Sequence, residues 1–227
     1  MRMIAAYHKG EPLRNISHLD VQRTLQRAFR RANVPLAYSK GFNPHPQLSF
    51  ASALSTGTTS DAEWFDVQLA CPMPPEAFTG NVNAVLPAGM WLSGAFAAPE
   101  CFGSLSAKTS AALYEATLTF DRPVAGDMLQ AALDGLLGGE IIVNKRTKSG
   151  VRPVDIRPQI QKVSVTGIEG NMASLLVLGR LQADGGLRVE LLFGALCDRL
   201  DAHATARIHR AAMYFACDGP LPRQPED

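Results

Sequence analysis

Residues Ser17–Asn33 read SHLDVQRTLQRAFRRAN, and this stretch decides how the first part of the chain folds. Its apolar residues recur mostly at intervals of three and four, which places them on one face of a helix. They are Val21, Leu25, Ala28, Phe29 and Ala32. Ser17 is a residue type that caps helix N-termini, and Asn33 with the following Pro35 favours a helix end. The pattern therefore predicts an amphipathic helix whose apolar face turns to a core.

Strand-like segments flank this helix, and the order of the elements predicts the fold class. Residues 1–10 precede the helix as a strand, and residues 48–54 and 63–70 follow it as two more. A short proline-opened helix and a strand then complete the order β-α-β-β-α-β, which is the ferredoxin-like pattern. The order repeats loosely afterwards. We predict an α+β protein of two tandem ferredoxin-like halves with antiparallel sheets, residues 1–103 and residues 104–227.

The composition narrows the class of protein further. The chain has 227 residues, of which 46% are apolar, and a net charge of +1. No apolar run approaches the ~20 residues of a membrane helix, and no signal-peptide pattern opens the chain, so we expect a cytoplasmic protein. The four cysteines form no Cys-x-x-Cys pair, and no glycine motif for phosphate or dinucleotide is present. We therefore expect neither a metal nor a cofactor.

Positive charges are clustered although the net charge is near zero. In the predicted helix, Arg23, Arg27 and Arg30 share one stripe, with Arg31 beside it. Like charges at this spacing repel one another, and a bound anion relieves that repulsion. Because a guanidinium group pairs with phosphate and stacks on bases, the stripe predicts nucleic-acid binding. The alternatives are a solvated face or pairing with the acidic residues of segment 51–100.

A constrained loop, SKGFNPHPQLSF (Ser39–Phe50), follows the helix. Its glycine and two prolines restrict the backbone, which suits a loop that holds a splayed base or a nucleotide. The candidate contacts in and beside the loop are Tyr38, Lys40, Phe42, Asn43 and His45. The alternative is a proline turn whose Asn43 and His45 only satisfy its own backbone.

The turn before the helix, GEPLRNISHLD (Gly10–Asp20), supplies further candidates. Arg14 lies close to a helix N-terminus, where free N–H groups favour anions. His18 and Asp20, together with His45 of the loop, are the candidates for acid–base catalysis, although Asp20 also fits a structural helix cap. These side chains show no recognised metal-ligand spacing.

A second basic segment, NKRTKSGVRPVDIRPQI, covers Asn144–Ile160. We predict that it is long and irregular and that it extends a nucleic-acid footprint. Its candidate residues are Lys145, Arg146, Lys148, Arg152 and Arg157. Asp155 either orients a neighbouring arginine or forms a surface ion pair that contributes little.

Three motifs carry a resemblance to a known family. They are RNISHLD (Arg14–Asp20), RAFRRA (Arg27–Ala32) and SKGFNPHP (Ser39–Pro46), in this order. Together with LSTGTTSDAEWFDVQL (Leu54–Leu69) and VDIRPQI (Val154–Ile160), they resemble the radical-SAM-linked proteins, a bacterial family built on a domain of unknown function. The resemblance implies a partner, namely a cobalamin-binding radical SAM protein encoded beside or fused to the family member. Because this chain has no Cys-x-x-x-Cys-x-x-Cys motif, the resemblance implies the stand-alone form, with the cofactor chemistry left to the partner.

A second resemblance concerns the order of elements. The helix segment VQRTLQRAF (Val21–Phe29) and the loop after it resemble those of tRNA-type pseudouridine synthases, which are also built from two ferredoxin-like halves. Those enzymes carry an Arg-Thr-Asp with the catalytic aspartate in this loop, whereas the present loop has no aspartate. Asn43 is its nearest polar residue, and an amide cannot act as that nucleophile.

These observations support three hypotheses. The first is an accessory RNA-binding protein, for tRNA or rRNA, that works with a cobalamin-type radical SAM enzyme in RNA modification. The second is an enzyme in its own right, with His18, Asp20 and His45 converging in one pocket. The third is a protein-interaction module whose basic face docks on an acidic surface of the radical SAM partner.

Overall fold

The computed structural model of this chain describes residues 1–99, 102–147, 150–182 and 185–216, with only the backbone of residues 146, 147 and 185. The chain divides into two compact units. The first contains residues 1–110 and the end of the last strand from Ala212 onward, and the second contains Ala111–Ala211. The predicted boundary between residues 103 and 104 lies slightly before this division and stays a prediction.

The first unit is a small antiparallel sheet with helices. Its elements are β1 (Arg2–Lys9), α1 (His18–Arg31), β2 (Leu48–Phe50), β3 (Thr58–Gln68), α2 (Pro75–Asn83), β4 (Met90–Ala98) and the single turn α3 (Leu105–Lys108). Within the unit, the strands lie in the order β2-β3-β1-β4, and the three pairings are antiparallel. The predicted helix and its Ser17 cap are present, and Asn33 ends the helix with a left-handed φ of 52°.

The core of the first unit explains the apolar run in β1. Met3 and Tyr7 face a cluster that includes Leu25 and Phe29 of α1, while Ile4 faces a smaller cluster on the other side of the sheet. A strand covered on both faces needs apolar residues at successive positions. Phe29 is fully buried, and burying such a side chain stabilises the fold by ~1.5–3 kcal/mol.

The second unit contains a sheet, two helices longer than one turn and a separate hairpin, among the residues that the structure describes. Its elements are β5 (Thr109–Phe120), α4 (Gly126–Leu137), β6 (Ile142–Thr147), β7 (Gly150–Asp155), β8 (Ile160–Glu169), β9 (Met172–Gln182), β10 (Gly185–Gly186), α5 (Val189–Leu200) and β11 (Ala204–Phe215). The strands β8, β9, β5 and β11 are neighbours in this order, with β10 beside β9. The strands β6 and β7 form a separate two-stranded sheet.

Two expectations about local structure are wrong. Within the segment that follows Asn144, Gly150–Asp155 is not irregular, because it pairs along its whole length with β6. Its glycine and proline disfavour a strand locally, but cross-strand hydrogen bonds override that preference. The strand predicted over residues 48–54 ends at Phe50, and β3 begins at Thr58, before its predicted start.

The fold is thus a mixed arrangement of helices and strands with a sheet-dominated core. Within the described part of the chain, no helix combines the length and the apolar character needed to cross a membrane.

Candidate nucleic-acid interface

At the N-terminus of α1, Arg23 forms an ion pair with Asp20, which sets it apart from the other arginines of the predicted stripe. The Ser17 hydroxyl accepts a hydrogen bond from the Asp20 N–H at 3.2 Å and donates one to the Asp20 carboxylate at 2.6 Å. Arg23 pairs with the same carboxylate at 3.1 Å. The hydrogen bond from Ser17, followed by that from Arg23, lowers the pKa of Asp20. Asp20 is therefore a charged residue that supports the Ser17 cap, and Arg23 forms an exposed ion pair with it.

The other arginines of α1 line a cleft of about 580 Å³ on the first unit. Its lining residues are Leu13, Ile16, Thr24, Arg27, Arg30, Arg31 and Pro87. Arg31 donates a hydrogen bond to the carbonyl of Val85, which joins the end of α1 to the segment after α2. We call this feature the arginine cleft, and we call its apolar lining residues Leu13, Ile16 and Pro87 its floor.

Arg27 and Arg30 keep their positive charges without a partner in the part of the chain that the structure describes. Among the described residues, neither Arg27 nor Arg30 has a hydrogen bond or an ion pair, and both are exposed. Acidic residues of β3 are engaged elsewhere, since Asp66 pairs with Arg2 at 2.7 Å and Asp61 contacts His8 at 3.1 Å. The C-terminal end of α1 favours positive side chains, but this effect contributes only ~0.3–1 kcal/mol at an exposed site.

A buried lysine fixes the floor of the cleft. The Lys9 ammonium group lies at the end of β1 and donates to the carbonyls of Arg14, Ile16 and Thr58 at 3.0, 3.2 and 3.1 Å. Burial lowers the pKa of Lys9, and the nearby carboxylate of buried Glu63 opposes that shift. Three acceptors match the three donors of an ammonium group, so the turn before α1 is held firmly to the sheet.

Arg14 contributes to the same brace. Its Nε donates to the carbonyl of Gly57 at 2.7 Å, and the Gly57 N–H donates to the carbonyl of Arg14 at 2.9 Å. The turn before α1 and the turn before β3 are therefore tied together. Arg14, predicted as a phosphate contact, is half-buried and has a structural role.

The three candidate catalytic side chains have separate partners. His18 is half-buried with its ring edge-on to Phe50, at 4.7 Å between ring centres. Burial lowers the pKa of His18, Glu63 acts against this shift, and Lys9 adds to it. Asp20 serves the helix cap, and His45 bonds within its own loop. No hydrogen bond in the described part of the chain joins His18, Asp20 and His45 into one constellation.

The loop after α1 is braced at its base and open at its tip. Tyr38 and Pro46 form an isolated bridge, and the Ser39 N–H donates to the His45 carbonyl at 2.9 Å. The Ser39 hydroxyl also contacts His45 Nδ1 at 2.9 Å. Gly41 has a φ of 133°, which a residue with a side chain rarely adopts. Phe42 is fully exposed at the tip.

The loop therefore divides its candidate contacts into two groups. Ser39 and His45 hold the loop closed, which agrees with the proline-turn alternative for His45. Lys40, Phe42 and Asn43 are exposed, and Tyr38 is 44% exposed. His45 is also exposed, but its ring nitrogen is engaged by Ser39, so the other four side chains are the better candidates for contacts with a ligand.

The basic segment Asn144–Ile160 of the second unit contains cations of two kinds, those on the hairpin of β6 and β7 and Arg157 just after it. Lys145 and Arg152 are direct cross-strand partners in the pairing of β6 and β7. Arg157 instead donates to the carbonyls of Leu137 and Ile160 at 2.7 and 3.0 Å, which satisfies the end of α4.

The other charged residues of this segment are Arg146, Lys148 and Asp155. Asp155 accepts the N–H groups of Ile141 and Arg157, both at 2.9 Å, so among the described residues it organises the backbone. Lys148 and the side chain of Arg146 lie outside the described residues.

Sequence reasoning found neither the floor of the arginine cleft nor the hydrogen bonds of Lys9 that hold it. Leu13, Ile16 and Pro87 come from two distant turns, so no local pattern brings them together. Lys9 could have been noticed in the sequence, because it is a charged residue at the end of the apolar strand β1. Glu63 could have been noticed for a similar reason, because it is a charged residue between two apolar residues that are buried in β3.

Comparisons with known proteins place the chain in a group without an assigned activity. Residues 2–188 match the family model DUF2344, described as an uncharacterized protein conserved in bacteria. No curated protein matches the sequence.

Solved structures share the fold at low sequence identity. The fold resembles that of Cbf5 in the crystal structure of a Cbf5–Nop10–Gar1 complex, with a TM-score of 0.53 and 16% identity over 92% of this chain and 47% of that chain. An H/ACA RNP bound to a substrate RNA containing 2'-deoxyuridine gives a TM-score of 0.50 and 14% identity, over 92% of this chain and 46% of that chain. The chain thus spans about half the length of these chains. At such identities the likeness shows the fold alone.

Proposed function

The chain belongs to the DUF2344 family, and we propose that it binds RNA through the arginine cleft. The observation that carries this proposal is the state of Arg27 and Arg30, which have no protein partner among the described residues although they stand together around one cleft. Adjacent guanidinium groups without counter-charges favour an anionic ligand. The phosphate backbone of RNA supplies such charges in series.

Two other surfaces extend the proposed footprint. On the loop after α1, Phe42 offers an exposed ring for stacking on an unpaired base, with Lys40 and Asn43 beside it. On the hairpin of the second unit, Lys145 and Arg152 add two positive charges side by side. These surfaces would add contacts to phosphates and bases, while the cleft supplies the main site.

The fold comparison suggests the class of RNA by analogy. One similar structure is an H/ACA RNP bound to a substrate RNA. We therefore propose a structured RNA, such as tRNA or rRNA, as the ligand. The element order β-α-β-β-α-β in the first unit, with its strand order β2-β3-β1-β4, supports the proposal of ferredoxin-like halves in a pseudouridine-synthase-like arrangement.

The radical SAM partner enters the proposal through the sequence motifs. The segments Arg14–Asp20, Arg27–Ala32 and Ser39–Pro46 resemble the radical-SAM-linked proteins. We propose that this chain holds RNA for a cobalamin-type radical SAM enzyme, which would supply the chemistry of an RNA modification. Co-purification of the two proteins, with and without RNA, tests this step separately from RNA binding.

The test of RNA binding compares single arginine variants on the same helix. Binding of total tRNA and of rRNA fragments is measured by filter retention across a salt series for the native chain and for Arg23→Ala, Arg27→Ala and Arg30→Ala. Each variant removes one positive charge from α1, but Arg23 is paired with Asp20 and lies outside the cleft lining. Arg23→Ala is therefore the matched control.

We expect affinity to fall steeply with salt, and the Arg27 and Arg30 variants to weaken binding more than the Arg23 variant. Removing one contact to a phosphate should lower the slope of log affinity against log salt by roughly 0.7–0.9. Equal effects of all three variants would mean that net charge alone acts, which contradicts a site in the cleft. No binding at low salt would reject RNA as the ligand.

Two alternatives make different predictions for the same variants. If the cleft docks an acidic protein surface, Arg27→Ala and Arg30→Ala weaken capture of the radical SAM partner, and RNA does not compete. If the chain is an RNA-modifying enzyme without the usual catalytic aspartate, His18→Gln abolishes turnover while RNA binding persists. The separate partners of His18, Asp20 and His45 favour the binding protein.

A further inference from the structure

We infer that the arginine cleft takes one unstacked nucleotide of a single-stranded RNA segment, with its base on the apolar floor and its flanking phosphates on Arg27 and Arg30. This inference rests on the proposed function and states which form of RNA the cleft selects. It follows from the combination of an apolar floor, unpaired cations and a rigid frame on one face of the first unit.

The size and chemistry of the cleft fit a nucleotide. Its volume of about 580 Å³ lies within the ~300–1,000 Å³ of small-ligand sites. The floor of Leu13, Ile16 and Pro87 presents aliphatic groups to a ligand. A flat base is shielded from water when it packs on such groups, and an arginine plane beside it adds stacking. A phosphate alone would leave this apolar surface uncovered.

The three arginines of the cleft have two roles. Arg31 is fixed by the protein, whereas Arg27 and Arg30 are available to a ligand. Arg31 is held by the carbonyl of Val85, so its position is set by the protein. Arg27 and Arg30 are exposed and lie three residues apart, which places them on one side of the helix. Two free cations beside an apolar floor match the alternation of phosphate, base and phosphate along a single strand.

Double-stranded RNA cannot use the floor. Its bases are stacked inside the duplex, and the outer surface presents phosphates, sugars and a wide, shallow minor groove. A duplex would therefore contact only the guanidinium groups. The apolar floor favours an unpaired nucleotide in a loop, a bulge or a strand end.

Hydrogen bonds within the protein hold the frame of the cleft. Lys9 holds the carbonyls of Arg14 and Ile16, and Arg14 is bonded to Gly57. The turn that carries Leu13 and Ile16 is thus fixed before a ligand arrives. A rigid floor lowers the entropy cost of holding a base.

A filling variant tests the floor without changing the charge. Thr24 lies in the cleft lining on α1, so Thr24→Phe occupies the space proposed for a base and leaves the three arginines in place. Leu19→Phe is the matched control, because Leu19 is 59% exposed on the same helix and is not part of the lining. The probes are an oligouridine strand of about twelve nucleotides and an RNA duplex of the same length.

We expect Thr24→Phe to weaken binding of the single strand by about tenfold, which is the scale of the contribution of one stacked base. Its affinity for the duplex and the salt dependence of binding should stay close to those of the native chain. Leu19→Phe should leave both affinities unchanged. If Thr24→Phe weakens both probes equally, or neither, the inference is overturned.

A crosslinking measurement keeps the test independent of how the variant folds. The native chain is irradiated with 4-thiouridine-substituted single strand, and crosslinked peptides are identified by mass spectrometry. We expect crosslinks in the peptides that contain Leu13, Ile16 or Pro87. Crosslinks confined to the loop around Phe42 or to the hairpin of β6 and β7 would overturn the inference while RNA binding stands. Failure of both probes, together with failure of tRNA and rRNA fragments to bind at low salt, would instead reject the proposed function itself; failure of the short single strand alone would overturn only the inference.

Discussion

The arginine cleft of the first unit and the hairpin of the second unit are both basic in sequence, but their cations differ in burial and in hydrogen bonding. In the first unit, Lys9 is buried against three carbonyls, while Arg27 and Arg30 have no partner among the described residues. In the second, Arg157 bonds two carbonyls, while Lys145 and Arg152 stand opposite each other on paired strands. Each region thus has a tied cation within or beside it, together with cations that are exposed or partly exposed.

The two regions differ in what surrounds their exposed cations. The cleft has an apolar floor that a base can cover, whereas the hairpin offers charges on a two-stranded sheet. A count of Lys and Arg treats both regions alike. Burial and hydrogen bonding decide which cations stabilise the fold and which remain available to a ligand. The following predictions test this distinction, from the largest expected effect to the smallest.

The largest effect should come from removing the buried charge of the first unit. Lys9→Met keeps much of the aliphatic stem but leaves three carbonyls and the Glu63 carboxylate without the ammonium group. We expect a decrease of about 3–5 kcal/mol in the free energy of unfolding, measured with urea. Lys145→Met is the control from the hairpin and should change stability by less than about 0.5 kcal/mol. Similar decreases in the two variants would contradict the distinction between tied and exposed lysines.

RNA affinity should separate the exposed cations of the two regions. The double variant Arg27→Ala/Arg30→Ala should weaken RNA binding at least about tenfold and lower the salt slope by roughly 1.4, because two phosphates are no longer neutralised. Lys145→Ala/Arg152→Ala removes the same charge and should weaken binding by a smaller factor. Filter binding measures both variants. A larger effect of the hairpin variant would reverse the assignment of the main site.

Arg157 should behave as a structural residue of the second unit. Arg157→Ala removes hydrogen bonds to Leu137 and Ile160, and we expect a decrease of about 1–2 kcal/mol in the free energy of unfolding. Arg152→Ala, which removes an exposed charge nearby, should have little effect on stability. Thermal and urea unfolding of both variants measure these changes in stability. A stable Arg157 variant with weakened RNA binding would show that Arg157 contacts RNA.

The smallest effect concerns pH and the half-buried His18. Burial lowers its pKa in the folded chain, whereas the unfolded value is about 6.5. Between these two values the unfolded state binds more protons, so the stability contributed by neutral His18 is complete above about pH 6.5 and is lost as the pH falls towards the folded pKa. His18→Gln should remove this part of the pH dependence, whatever its effect on the absolute stability. Urea midpoints at several pH values measure the slope, and an unchanged slope would contradict the assignment.

Local patterns in the sequence predicted the elements well where they were strong. The helix α1 follows from the spacing of its buried residues and from the Ser17 cap, and β1 follows from a short apolar run. The strand β7 was missed because Gly150 and Pro153 oppose a strand locally, and only pairing with β6 stabilises it. Local preference is a weak guide when a partner strand supplies the hydrogen bonds.

The candidate site was predicted in part. The arginines of α1 were found because helical spacing places them on one stripe, but the sequence could not distinguish Arg23, which pairs with Asp20, from Arg27 and Arg30. That distinction depends on rotamers and neighbours. The exposed ring of Phe42 was among the candidates, whereas His45 is used to brace its loop.

Local spacing along the chain was enough to predict the amphipathic helix, the apolar strands and the basic character of two segments, and it shows the motifs that carry the family resemblance. These features depend on neighbouring residues, so spacing is enough to reveal them. The tertiary structure alone decided that Leu13, Ile16 and Pro87 form a floor beside three arginines, and that Lys9 holds that floor in place. Residues far apart in the chain meet there, and the hydrogen bonds that tie some cations and leave others exposed exist only once the chain has folded.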